Sequence, residues 1–169
     1  MARHSGPVLV DTNVIIECWR IGAWKALTGA YAVETVAMCF IETQTGFQKR
    51  RPEEQIDSTV MAMTLRQVHP VGAEELASAL VRDPEIGFLD PGEQSLWAHA
   101  IERKDAWVLC GPDKASLRIG IRMGLRDRLM SLERLLGDAG FRPRAGLKVA
   151  YTQKWLEQTL AQLAQFERK

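Results

Sequence analysis

Val8-Leu9-Val10-Asp11-Thr12-Asn13 decides how this chain is read. Three apolar residues, two of them β-branched, favour a short strand, and a carboxylate follows at once. An Asp at the end of such a strand lies at the carboxyl edge of a sheet, where open α/β folds place their ligands. Asp also begins helices as an N-cap, so this position alone leaves two readings open. Working outward, Glu42, Glu93 and Asp113 each stand near the start of a predicted helix. Four acids gathered at one sheet edge resist joint ionisation, and a hard divalent cation relieves that conflict.

The rest of the chain alternates strand-like and helix-like stretches. A helix is expected from about Val14 to Leu27, a strand from Tyr31 to Val36, and a helix from Ala37 to about Lys49. Pro52 can open another helix through Glu53 and Glu54 to Leu65. A short strand over 66–71 and a helix over 73–81 follow, the latter broken by Asp83-Pro84. Asp90-Pro91-Gly92-Glu93 is a helix-start signal leading into 94–103. Ala106 to Cys110 then reads as a strand, Gly111-Pro112-Asp113 as a tight turn, and Lys114 to about Met123 as a helix. Residues 127–136 fit a last strand or a helix. This rhythm predicts an α/β chain, with a central parallel sheet flanked by helices in three layers. Residues 1–148 form the main domain. Residues 149–169 form an amphipathic C-terminal helix packed on the same domain. The helix carries Trp155, Leu156, Leu160, Leu163 and Phe166 on one stripe, which suits intrachain packing or a partner's groove.

Bulk properties set limits. The chain has 169 residues, and its hydrophobic content of 46% and charged content of 25% match a globular domain. A net charge of +1 provides no global basic field, so an anionic partner needs a local basic patch or a metal. Cys18, Cys39 and Cys110 lie far apart in apolar surroundings with no zinc spacing, and read as buried thiols in a reducing compartment. The N-terminus has no apolar signal core, and no run approaches the roughly 18 residues a membrane helix needs. A cytoplasmic protein without membrane attachment is expected.

Placement distinguishes two of the acids. Glu93 precedes Leu96 by three residues and Trp97 by four, so it shares their inward stripe. Glu42 follows Met38 by four and adjoins Ile41. A solvated Glu would lie on the opposite face, although Glu93 can also simply complement the helix dipole. Asp113 follows its strand as Asp11 does, and both Asp113 and Asp90 can serve as N-caps. Glu17 and Glu34 are expected at the surface or a sheet edge. His4, His69 and His99 are scattered, and HExxH, GxSxG and GxxxxGK[ST] patterns are missing. Basic residues cluster at Lys49-Arg50-Arg51 and at Arg118, Arg122, Arg126 and Arg128. Arg118 and Arg122, four apart, can line one helix face toward a phosphate backbone.

Three segments together resemble the PIN-domain family: VLVDTNVIIE (8–17), VETVAMCFIET (33–43) and LDPGEQSLWAHAIERKDAWVLCGPDKASLR (89–118). They match in order the family's opening "DTN" element, its strand-to-helix segment ending in an acid, and its "GE" helix followed by a strand and an Asp-containing loop. The resemblance covers residues 7 to 123. It implies a metal-dependent endoribonuclease, with Asp11, Glu42, Glu93 and Asp113 as the acidic cluster for Mg²⁺ or Mn²⁺ and with Asn13 orienting Asp11. RNA is then the substrate, bound with help from Arg118 and Arg122. The chain departs from the family in one loop, which reads Cys110-Gly111-Pro112-Asp113 where relatives often carry Thr-Asp-Asp. That departure opens a second reading, a PIN-fold module that binds RNA or a partner without catalysis. A third is a toxin subunit whose C-terminal helix docks an antitoxin. A homodimer is compatible with each.

Overall fold

The strand following Met-Ala-Arg-His-Ser-Gly-Pro becomes the centre of the molecule. In the computed structural model, which describes residues 2–46, 50–52 and 55–168, β1 (Val8–Val10) is wholly buried. It pairs in parallel with β2 (Val33–Val36) on one side and β4 (Val108–Cys110) on the other. β3 (Gln67–His69) completes the sheet in the order β3-β2-β1-β4, all parallel. Alternation of side chains along each strand splits the interior into two cores. Val8, Val10, Val108 and Cys110 face one cluster, and Leu9 and Leu109 face the other. Such two-sided burial explains why β1 and β4 are apolar runs rather than alternating patterns.

Helices cover both faces. α1 (Thr12–Arg20), α2 (Trp24–Ala30), α4 (Ser58–Thr64) and α8 (Leu132–Asp138) supply Val14, Leu27, Met61 and Leu135 to the first core. α5 (Ala73–Arg82), α6 (Pro91–Ala100), α7 (Lys114–Arg122) and α9 (Gln153–Glu167) supply Ala79, Trp97, Leu117 and Leu160 to the second. α3 (Ala37–Gln44) packs between α1 and α6. The expected three-layer α/β architecture is therefore observed. The C-terminal helix expected over 149–169 is α9, which begins at Gln153 and packs on α7 and α8.

Several boundaries differ from the sequence reading. The helix expected over 14–27 is two helices, because Gly22 adopts φ 70, a left-handed turn open to glycine. The helix expected from Ala37 to Lys49 ends at Gln44, and Lys49 lies outside the described residues. So do Glu53 and Glu54. The helix expected from Pro52 begins only at Ser58, capped by Asp57. The ambiguous 127–136 stretch resolves into α8, preceded by a single bridge pairing Leu129 with Leu109. Among the described residues, no helix is long and apolar enough to cross a membrane. Cys18, Cys39 and Cys110 are buried free thiols, as expected.

Candidate functional site

Strand order places the site. The chain moves from β1 outward to β2 and β3, then crosses to the far side of β1 to form β4. The reversal opens a crevice at the carboxyl ends of β1 and β4, the usual binding position in open α/β sheets. Asp11 leaves β1 into this crevice, and Gly111-Pro112-Asp113 leaves β4 beside it. Gly111 allows the close approach: a Cβ there would stand 3.1 Å from Asp11 Oδ2.

Three helices begin at this edge with an Asp cap. Asp11 Oδ1 accepts from the Val14 N–H at 2.8 Å, Asp90 Oδ1 from Glu93 N–H at 2.9 Å, and Asp113 Oδ1 from Ser116 N–H at 3.0 Å. Capping and clustering are thus not alternatives. One oxygen of each carboxylate fixes a helix start, and the charges of the three acids still meet. Asp11 and Glu93 are buried, Asp113 is half-buried and Asp90 is exposed, so the cluster runs from the sheet edge out to solvent.

Electrostatics record that clustering. Burial first, then the charges of Asp90, Asp113 and Glu42, push the Asp11 carboxyl up to about 7, despite the Val14 N–H favouring its anion. Burial and the charges of Asp113, Asp90 and Asp11 push Glu93 up to about 8. A helix N-terminus ordinarily favours a carboxylate, so burial and mutual repulsion dominate here. Glu93 Oε1 is buried and has no hydrogen-bond partner among the described residues. Native structures rarely leave such an atom unsatisfied without cause.

Glu42 joins the cluster differently from expectation. Its Oε2 accepts from the Thr12 hydroxyl at 2.7 Å, and its Oε1 accepts from the Gly92 N–H at 2.9 Å. Both oxygens are engaged, and the carboxylate ties the starts of α1 and α6 together. A Cβ on Gly92 would come within 2.5 Å of Glu42 Oε2, so only glycine leaves room for this contact. Thr12 and Gly92 were not singled out in the sequence. Their signals were the residue after the strand Asp and the glycine before the helix Glu. Among the described residues, no three His, Cys, Asp or Glu side chains stand close enough to hold a metal ion as placed.

Other expectations need correction. Asn13 is exposed and does not orient Asp11; its carbonyl accepts from the Tyr151 hydroxyl at 3.2 Å. Arg118 and Arg122 lie along α7 away from Asp113, in an ion-pair network. Arg122 clasps Asp83 at 2.7 Å and Glu167 at 3.1 Å, and Arg118 bonds Glu167 and stands 3.6 Å from Glu85. They fasten the end of α9 to α7 rather than face the acids. Glu34 is 2% exposed on the interior strand β2 and bonds His69 at 2.6 Å and Arg103 at 3.2 Å. Glu17, also 2% exposed, bonds Arg20 and the Lys148 N–H. Neither is a surface acid. Arg50 turns to the α3 end, donating to the carbonyls of Glu42, Thr43 and Thr45.

Comparison with protein-family models, with curated proteins and with solved structures finds no match to this chain.

Proposed function

We propose that the chain is a metal-dependent ribonuclease of PIN type, hydrolysing phosphodiester bonds of single-stranded RNA. The observation that carries this reading is that buried Asp11 acts by its charge on buried Glu93, one of whose oxygens has no hydrogen-bond partner among the described residues. Ionising two buried acids, whose carboxyls burial and neighbouring charges push up to about 7 and about 8, is unfavourable for the fold. Such groups, gathered in a crevice, make it a functional-site candidate.

The donor chemistry suits a hard divalent cation, carboxylate oxygens with one of them buried without a partner; the acids stand too far apart to hold it as they are, so binding would draw them together. Asp11, Glu93 and Asp113 would hold Mg²⁺ or Mn²⁺, with Asp90 at the outer rim. A bound ion would supply charge neutralisation at the scissile phosphate and a water of lowered pKa. The chain's own residues do the positioning. Val14 N–H and Ser116 N–H fix one oxygen of Asp11 and one of Asp113, and the caps leave the second oxygen of each unused. Glu42 locks Thr12 to Gly92, which holds the starts of α1 and α6 in register. Three helix N-termini at one edge also favour the anionic substrate.

The second reading, an RNA- or partner-binding module without catalysis, draws on Glu42, whose two oxygens are both already bonded. A quenched fluorescent RNA decides between them. Cleavage that needs Mn²⁺ or Mg²⁺ and falls at least about a hundredfold in Asp11→Asn and Glu93→Gln supports the nuclease. Cleavage in chelator, or at the wild-type rate in both variants, overturns it.

A further inference from the structure

The segment between α8 and α9 returns along α1. Gly146 O accepts from Arg20 at 2.9 Å, the Lys148 N–H donates to Glu17 at 2.8 Å, and the Tyr151 hydroxyl donates to Asn13 O at 3.2 Å. These partners step back along α1 from its last turn to its first, about 10 Å of helix at 1.5 Å per residue. The strap therefore runs antiparallel to α1, and it ends two residues from Asp11.

Its charge differs from the rest of the arginines described above. Arg103, Arg118 and Arg122 are all paired with acids. Arg142 and Arg144 are exposed and, among the described residues, form no ion pair. Beside them opens a cleft of about 340 Å³ between the strap and α8, lined by Leu136, Phe141, Leu147 and Thr152, with Arg142 and Glu133 on its wall. Glu133 Oε1 accepts from the Gln153 N–H at 3.0 Å, so that acid is anchored on the α9 side. An aromatic ring and apolar walls beside unpaired cations are what single-stranded nucleic acid requires: a stacking surface for a base and charges for phosphates.

We propose that residues 141–151 form a track for single-stranded RNA. Arg142 and Arg144 hold backbone phosphates, the cleft beside Phe141 takes one base, and the strap leads the strand along α1 to Asp11. The substrate class rests on the nuclease reading, and the track adds where that substrate lies. An exposed Arg pair beside an apolar cleft supplies the local basic patch that a chain of net charge +1 needs.

The test measures binding in chelator, apart from cleavage. A short fluorescein-labelled oligoadenylate is titrated by anisotropy at several salt concentrations. For Arg142→Ala/Arg144→Ala, the expected result is about tenfold weaker binding at low salt. The slope of log affinity against log salt should shrink by about 1.4, from roughly 0.7 per phosphate contact on a single strand. Phe141→Leu keeps the apolar volume and removes the ring; it should weaken binding roughly fivefold or more with the slope unchanged. Thermal melts confirm that both variants fold. Unchanged affinity and slope in the arginine variant, or no binding by the wild type, overturn the track. An unchanged affinity in Phe141→Leu alone overturns the base cleft. Separately, wild-type hydrolysis of bis-p-nitrophenyl phosphate with Mn²⁺ reads the nuclease assignment. Hydrolysis with an insensitive strap rejects the track alone, whereas a sensitive strap without hydrolysis rejects the nuclease alone.

Discussion

The Thr12 hydroxyl donates to Glu42 Oε2 over 2.7 Å, joining the helix that follows β1 to the helix that follows β2. With the Gly92 N–H on the other oxygen, one carboxylate holds three helices at the sheet edge. Glu42 thereby sets the spacing of the crevice in which Asp11 and Glu93 stand.

Gly92→Ala tests that lock. The new Cβ would meet the Glu42 carboxyl within 2.5 Å and drive it off the Gly92 N–H. Overpacking of this kind costs about 1–3 kcal/mol. Urea unfolding should show a loss in that range, and Thr12→Val should add little on top of it because the two changes break the same clamp. Additive losses would show that Glu42 is not the common element.

Asp11 and Glu93 predict a pH dependence with a definite sign. Their folded values, about 7 and about 8, lie above those of ordinary carboxyls. The fold therefore favours the protonated forms, and stability is lost as pH rises from about 4 through 8. Thermal melts in chelator should fall across that window, and Asp11→Asn should flatten the fall while still capping α1. Mn²⁺ should restore stability at pH 8 and release protons on binding. A melting temperature that rises over the same window would contradict the cluster.

The stacked pair His69–His99, with ring centroids 3.9 Å apart, predicts the opposite slope at lower pH. Burial, then the charges of His69 and Arg103, push His99 down to about 4. Its folded value is below the unfolded one near 6.5, so its contribution is complete above pH 6.5 and lost as pH falls toward 4. Glu34, Arg103 and Asp105 complete the network: the Arg103 guanidinium lowers both carboxyls, and they in turn raise Arg103. The stability difference between wild type and His99→Gln should therefore move in favour of the wild type from pH 5 to pH 7, whatever the slope set by Asp11 and Glu93. A difference that stays constant over this interval would place the acid sensitivity elsewhere.

Arg118 and Arg122 now carry a structural expectation. Replacing both with Ala should raise hydrogen exchange and proteolysis in α9, because Glu167 loses its partners. The salt dependence of RNA binding should not change. A smaller slope would return these arginines to the substrate path.

Much of the fold was legible because its signals are local. Val8–Val10 and Val108–Cys110 are short apolar runs ended by polar turns, and Asp11, Asp90 and Asp113 each announce the helix they cap. The two-helix break at Gly22 needed a backbone angle that sequence does not print. Glu17 and Glu34 looked like surface acids because their partners are remote in sequence: Lys148 lies 131 residues from Glu17, and Arg103 lies 69 from Glu34. The same distance hid the use of Arg118 and Arg122 by Glu167. The acids Asp11, Glu42, Glu93 and Asp113 were readable as a set, but the bonds that make Glu42 a clamp require α1, α3 and α6 to be assembled first.

Asp113, in the Gly111-Pro112-Asp113 loop, is where the proposed enzyme and a binding module would behave differently. Its Oδ1 caps α7 through the Ser116 N–H at 3.0 Å, and its charge raises both Asp11 and Glu93. Asp113→Asn keeps the cap, since an amide oxygen accepts the same bond, and removes the charge. Stability in chelator at pH 8 should therefore hold or rise, because the two buried acids lose a repelling neighbour. If Asp113 also holds the ion, the variant should need about tenfold more Mn²⁺ for half-maximal cleavage of RNA, with part of the rate recovered at high metal. If it is a cap alone, the metal titration will overlay the wild type while the chelator melt still shifts. The two measurements move independently, so an overlaid titration rejects Asp113 as a ligand without disturbing its place in the cluster.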